Sequence, residues 1–334
     1  MLYVIEGRDA PPGAGSHIEP ALLLIPPDAR VRTLSPIATI AAPLARGTAV
    51  HRSALPLGIR SSIRPGSPIH VFGRNAARWA LNATRDAELC ATMLESPCRV
   101  TPRTRRWAER LVRFDRIDVL DETDAKAWHD AGVPQVLLHV TEPHAEEAAS
   151  NVARLGQSTG LPTDRASLRS LLAAEEDEQI IFPLASPWST LDAQRFVFVL
   201  GLLRVAGHRV SGIVPASAWR LAGARMFRRR SRLGTRLIVI DGPMTPWLSA
   251  CDAAFLDAAR PRERLFEYRP VGALRVLMAA ARSAGVPIAM APGNVLETTP
   301  RRAHSVADEV RPLLDTLQGR ADSLDALVGA MINT

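Results

Sequence analysis

LIVIDGPMTPWLSACDAAFLDA (237–258) and YRPVGALRVLMAAARSAGVPIAMAP (268–292) are two strand-helix units in succession, separated by a charged loop. The apolar run Leu237–Ile240 has strand length and stops at the turn Asp241-Gly242-Pro243. A short amphipathic helix with Trp247 and Leu248 follows, and Cys251-Asp252 leads into a second apolar run, Ala253–Leu256. A longer helical pattern starts near Pro270 and stops at Gly285, and Val286–Ala291 makes a third buried strand. Short apolar strands alternating with helices imply a parallel sheet, with ligands expected beyond the carboxyl ends of its strands. The charged loop lies at such an end.

The same grammar extends outward in both directions. Upstream, Gln179–Leu184 reads as a strand, Leu191–Ala206 as a helix stopped by Gly207, and Arg209–Val214 as a strand. The first half has strands at Leu2–Ile5, near Val31–Leu34, at Ile69–Phe72, Asp115–Leu120 and Gln135–Val140. Helices are expected at His17–Leu24, Ala76–Arg85, Arg103–Phe114 and Glu122–Ala131. Residues 142–178 mix small and charged residues, as a linker with one helix does, and helical periodicity returns from Val306 to Met331. The expected class is α/β, with two doubly wound, Rossmann-like lobes facing a cleft. The expected division is an acceptor-side lobe at 1–150, a linker and helix at 151–178, a donor-binding lobe at 179–305 and closing helices at 306–334.

Composition bounds the function. A chain of 334 residues with 47% hydrophobic and 22% charged residues has core enough for two domains. No apolar run reaches the roughly 20 residues that span a bilayer, and the start lacks a basic region before its apolar residues. Cys90, Cys98 and Cys251 fit neither a disulfide framework nor a zinc spacing, so a reducing cytoplasm is expected. The net charge of +7 comes almost wholly from arginine scattered along the chain. The exception is the cluster Arg225–Arg232, read either as a solvated helix face or as a contact for an anionic membrane or polyanion. Specific nucleic-acid binding is not expected, because aromatic-basic interleaving and a reading module are lacking.

Several motifs together resemble the GT-B glycosyltransferases, in particular the retaining, glycogen-synthase-like and mannosyltransferase-like group that uses nucleotide-sugar donors. IIFPLASPWSTLDAQRFVFVLGLLRVAGHRV (180–210) is similar to that group's first donor-lobe unit, and WLSACDAAFL (247–256) to its alanine-rich helix and Asp-initiated strand. GALRVLMAAARSAGVPIAMAP (272–292) resembles the helix that ends in Gly-x-Pro before a buried strand. In the first half, IHVFGRNAARWAL (69–81) resembles the strand with a histidine at its end, and RIDVLDETDAKAWHDAGVP (116–134) a unit ending in Gly-Val-Pro. The resemblance implies transfer of a sugar from a nucleotide-sugar substrate to an acceptor, with retention, no obligatory metal and no cofactor. The chain departs from the group where it matters for chemistry. Aligned on Gly285-Val286-Pro287, the two expected glutamates are Gly272 and Ala280, and the segment Leu184–Leu191 carries neither the expected arginine nor the lysine. A degenerate, non-catalytic member that binds a ligand or a partner is therefore the alternative.

Charge builds on the diphosphate as the anomeric bond breaks, so cations and a helix amino-terminus are the groups to seek. The charged loop offers Arg262, Arg264, Arg269 and Arg275, with Gly272 permitting close backbone approach and Glu267 beside them. Two readings stand for this set: a phosphate site, or surface arginines paired with Glu263 and Glu267. His70 reads either as a cleft residue touching sugar or acceptor, or as a hydrogen-bonded core histidine. Gly13 and Gly15, in the loop Pro12–Ser16, read either as an anion-approach loop or as a surface turn.

Overall fold

Strands that are short and apolar on both faces need cover on both sides, and helices in the crossovers supply it. The computed structural model describes residues 1–5, 18–26, 29–33, 51–52, 66–83, 87–231, 234–258, 267–297 and 307–319. The first sheet contains β1 (Leu2–Ile5), β2 (Arg30–Thr33), β3 (His51–Arg52), β4 (Ile69–Phe72) and β5 (Leu89–Thr92). A two-residue strand, β6 (Ser96–Pro97), follows outside the sheet, which continues with β7 (Arg116–Val119) and β8 (Leu138–Val140). The order is β3-β2-β1-β4-β5-β7-β8, with every pair parallel. The second sheet is built from β9 (Gln179–Pro183), β10 (Val210–Pro215), β11 (Arg236–Ile240), β12 (Ala253–Leu256) and, after β13 (Tyr268–Arg269), β14 (Ile288–Met290). Its order is β11-β10-β9-β12-β14, again all parallel. The expected α/β class with two Rossmann-like lobes is what the chain forms.

Three apolar clusters hold these layers. Val4, Ile69, Val71, Ile117 and Val119 lie under the helices Arg74–Ala83, Pro102–Leu111 and Glu122–Asp130. On the second sheet, Ile181, Val210, Val214 and Phe255 lie under the helix Ala193–Val205 and the helical stretch 307–319. The third cluster is shared: Ile5, Phe72 and Leu94 of the first lobe join Phe182, Ile213 and Ala254 of the second. At its centre runs the helix Val271–Ser283, whose residues from Val271 to Leu274 and from Val276 to Ala281 are all buried. A helix apolar on all sides is a core helix, and this one packs against the helices Ile18–Leu23 and Ala145–Thr159.

The departures from the sequence expectation have local causes. Residues 142–178 form two helices, Ala145–Thr159 and Arg165–Leu171, rather than a linker with one. The first buries Ala148, Asn151, Val152, Leu155 and Gly156, a helical stripe whose small and polar members blur the periodicity. Leu89–Thr92 is wholly buried and so shows no alternation. Gln135–Leu137 is a 3₁₀ turn, leaving Leu138–Val140 as the strand. Among the described residues no helix is long and apolar enough to cross a membrane.

Two glycines test this packing in opposite directions. A Cβ on Gly212, in β10, would lie 2.5 Å from Phe196 Cε1 and 2.7 Å from Leu200 Cδ1, both in the covering helix. Gly212→Ala is expected to destabilise by about 1–3 kcal/mol through overpacking. A Cβ on Gly156 meets only Pro246 Cβ at 3.5 Å, so Gly156→Ala should gain up to about 1 kcal/mol of helix propensity. Urea unfolding of both variants reads this, and the opposite ordering would refute the packing described.

Candidate functional site

In open parallel sheets the ligand crevice lies at the carboxyl ends of the strands where the strand order reverses. Here the reversals fall between β1 and β4 and between β9 and β12. The segments leaving those ends are 6–17, the turn at Gly73, the loop Leu184–Leu191 and the segment after Asp257. Gly13 and Gly15 fall in the first and Arg264 in the last, and all three lie outside the described residues.

The described walls of this region are already densely bonded. Glu19, 1% exposed, projects from the helix Ile18–Leu23 toward the second lobe. Its Oε1 accepts the Trp188 indole N–H at 2.8 Å and the Met244 backbone N–H at 2.9 Å, and Oε2 accepts the Thr245 N–H at 3.0 Å. Burial pushes the Glu19 carboxyl up, and the backbone hydrogen bonds from Met244 and Thr245 pull it back. The same helix is held from the other side, where Asn151 donates to the Leu23 carbonyl at 2.7 Å and Arg154 to the Ile25 carbonyl at 3.1 Å. At the end of β12, Asp257 accepts Arg195 and the Ala258 N–H, and Arg195 also binds Glu309 of the stretch 307–319. That carboxylate fastens the closing helix to the sheet.

A second junction gathers most of the expected donor residues. Tyr268–Arg269 (β13) pairs antiparallel with Ser96–Pro97 (β6), so the far end of the charged loop is stitched to the first lobe. Glu267 accepts the Thr101 hydroxyl at 3.2 Å, and its carbonyl accepts the Cys98 N–H at 2.9 Å. Arg269 donates to the carbonyls of Val295 and Glu297 at 3.3 and 3.0 Å. Arg275 binds Asp121 at 2.7 Å across the lobes. Gly272 does permit a close approach, but of protein: a Cβ there would stand 2.8 Å from the Met93 carbonyl and 3.2 Å from Leu94 Cα. The next residue, Ala273, donates its N–H to the Leu94 carbonyl at 2.9 Å, which uses a free amide of the helix start. The reading of these arginines as surface groups paired with Glu263 and Glu267 does not describe Arg269 or Arg275, whose partners are two carbonyls and Asp121.

His70 sits within the first sheet, two residues before the end of β4, stacked against both Tyr3 and Phe72 with ring centroids 5.6 and 4.9 Å away. Its Nε2 shares a hydrogen bond with the Thr92 hydroxyl at 2.7 Å. Burial lowers it to about 4, partly offset by Asp118, so the ring is neutral at pH 7.

Sequence reading passed over Glu19, Ser96 and Asp124. Glu19 had a signal: it is the one charged residue in the apolar segment IEPALLLIPP. Asp124 had none, because its partner Ser96 lies far from it in the sequence. Its Oδ1 accepts the Ser96 hydroxyl at 2.5 Å, while its Oδ2 is buried without a hydrogen bond. Burial drives this carboxyl up to about 6, against the pull of Ser96 and Arg275. A buried acid so shifted, beside arginines at a lobe junction, has the features of a functional group, which structural networks can share.

Two predictions follow from these carboxylates. Glu19→Ala strands three buried N–H donors, each worth about 1–3 kcal/mol, and gives back the cost of burying a carboxylate. A net loss of about 2–4 kcal/mol in urea unfolding is expected, with a larger radius of gyration by X-ray scattering as the lobes part. Unchanged stability and size would show that Glu19 does not join them. For Asp124 the folded value lies above the ordinary 3.8, so its contribution is greatest below about pH 4 and is lost as pH rises through about 6. The stability of Asp124→Asn relative to wild type should therefore rise by up to about 3 kcal/mol between pH 4 and pH 7. A difference that stays flat with pH would disprove the shift.

No family model matches this chain, and no curated protein matches it by sequence. Solved structures do match. Anabaena HepE in complex with UDP and glucose aligns over 98% of this chain and 100% of its own, with TM-score 0.52 and 14% identity. A putative UDP-N-acetylglucosamine 2-epimerase from Listeria monocytogenes aligns over 96% and 88%, with TM-score 0.59 and 12% identity. A glycosyltransferase from Rickettsia africae aligns over 95% and 87%, with TM-score 0.56 and 10% identity. Identities this low speak for architecture alone. With two parallel sheets reversing at their first strands and likeness along nearly the whole of each chain, this protein has the GT-B fold.

Proposed function

We propose that the chain binds a nucleotide sugar, with UDP as the nucleotide, at the carboxyl edge of the second sheet. It then transfers the sugar to an acceptor on the first lobe, with retention and without a metal. The observation that carries this reading is the end-to-end likeness to a protein of the same length class in complex with UDP and glucose. The chemistry asks for positive charge where the diphosphate leaves. The loop Leu184–Leu191 supplies none, and Arg269 and Arg275 are bound to carbonyls and to Asp121. We therefore assign the diphosphate to the arginines between Asp257 and Glu267, Arg264 first among them. Arg269, Arg275, Glu267 and Gly272 become positioning residues that fix the end of that segment against the first lobe. His70, neutral and bound to Thr92, suits a hydrogen-bonding role toward the acceptor rather than proton transfer at neutral pH.

The alternative is a binding or partner protein without turnover. One observation favours it. At Gly272, where the resembled group has a glutamate near the sugar, the backbone of Met93 and Leu94 fills the space that a side chain would need.

Thermal unfolding with UDP-glucose, UDP-N-acetylglucosamine and their GDP and ADP counterparts separates these readings. A UDP-sugar at about 100 times its Kd should stabilise the chain by about 2.7 kcal/mol. Arg264→Ala should lose most of that gain, and Arg229→Ala none. A donor that binds and is consumed with release of UDP supports the transferase. A donor that binds and is returned unchanged supports the binding protein, whereas interconversion of the sugar would identify an epimerase. No stabilisation by any nucleotide sugar at millimolar concentration would sink the donor reading altogether.

A further inference from the structure

The outer face of the second lobe combines two features that water alone does not account for. Between Asp192 and Asp241 the sequence contains no aspartate or glutamate, although arginines recur throughout. Two helices of this stretch, Ala193–Val205 and Leu221–Ser231, lie against each other on the side of the sheet away from the first lobe. The second helix exposes Arg225, Met226, Arg229 and Arg230, and among the described residues none of these arginines is paired with a carboxylate. Elsewhere on this lobe, Arg209 binds Asp177 and Arg220 approaches Asp192 at 3.5 Å.

The first helix adds an apolar component. Phe198 and Val205 are 39% and 72% exposed, about two helical turns apart, and Met226 beside the arginines is 51% exposed. Phe198 and Phe227 meet edge-to-face with centroids 6.1 Å apart, joining the two helices into one surface. A groove of about 410 Å³ opens between them, lined by Phe198, Phe227, Gln194, Asp192 and the acid-paired Arg195 and Arg220; the unpaired arginines lie outside it, on the second helix. Exposed apolar side chains set among unpaired cations are the pattern of a surface that enters a lipid headgroup layer. A soluble polyanion would use the arginines and leave the apolar side chains idle.

We propose that this face docks on an anionic lipid bilayer, the arginines meeting lipid phosphates while Met226, Phe198 and Val205 enter the acyl boundary. The helices cover the face of the second sheet opposite to the shared core, so docking leaves the lobe junction uncovered. The inference does not rest on the donor reading: it needs no turnover, and a protein that only binds could dock in the same way.

Flotation of the full-length chain with vesicles of phosphatidylcholine alone, and with vesicles containing phosphatidylglycerol, tests it. Wild type should float with the anionic vesicles and not with the neutral ones. Arg225→Gln with Arg229→Gln should weaken partitioning about 25-fold, at about 5-fold per arginine. Met226→Ser with Val205→Ser should weaken it by about 5-fold or more. Circular dichroism verifies that these exposed substitutions leave the fold intact. The proposal fails if wild type ignores anionic vesicles or floats equally with neutral ones. It also fails if both double variants bind as wild type does. If only the arginine variant loses binding and heparin competes fully, the face is a polyanion site and the bilayer is excluded.

Discussion

A carboxylate removed from water must find donors, and Glu19 finds all of its donors on the other lobe. Trp188, Met244 and Thr245 lie in two different loops of the second sheet, and their N–H groups converge on a single side chain from the first half of the chain. Apolar contacts between the lobes would tolerate sliding, because burial is not directional. Three hydrogen bonds in a buried place do not, since each donor left unsatisfied costs more than a typical bond contributes. Glu19 thus fixes where the shared core forms. The helix Val271–Ser283 can be apolar on every side because both lobes are held against it.

That arrangement bears directly on the chemistry. The start of this helix is where the sequence reading looked for free amides and charge. Here Gly272 and Ala273 press on the backbone of Met93 and Leu94, Arg275 reaches across to Asp121, and Tyr268–Arg269 forms a strand pair with Ser96–Pro97. Of the groups that sequence reasoning marked for phosphate, Gly272 and Arg275 meet the first lobe, and Arg269 is bound to the Val295 and Glu297 carbonyls. A widely shared architecture does not by itself carry an activity. The buried Asp124 carboxyl, raised to about 6 beside Ser96, shows that the junction tolerates a costly group.

Much of the strand-helix alternation was legible because many of the strands and helices follow a local apolar pattern. Leu2–Ile5, Ile69–Phe72 and Ala253–Leu256 fall where the apolar runs lie, and the order of the two sheets follows from the βαβ grammar. What escaped reading depends on distant partners. The helix Ala145–Thr159 buries Ala148, Asn151 and Gly156 along with Val152 and Leu155, and those small and polar members weaken its apolar stripe. Ser96–Pro97 and Tyr268–Arg269 are too short to announce a strand, and each exists because the other is opposite. Gly272 was legible as a place of close approach, while its occupant was not. A missing side chain reveals a contact without saying whether a ligand or a backbone makes it.

The second lobe therefore has two faces of opposite character. One carries Phe182, Ile213 and Ala254 into the core shared with the first lobe, and its polar groups are matched across the junction. The other is sheltered in part by the helices Ala193–Val205 and Leu221–Ser231, which carry no acid and whose outward side is cationic and partly apolar. Selection for solubility alone would intersperse acids among those arginines, since mixed charge suits an exposed helix and like charges on one face repel. The acid-free run begins just after Asp192, which caps the helix Ala193–Val205, and ends at Asp241, in the turn after β11. It spans the two outer helices and the strands they cover. Its limits follow the structural units of one face, which ties the charge pattern to a surface rather than to composition in general.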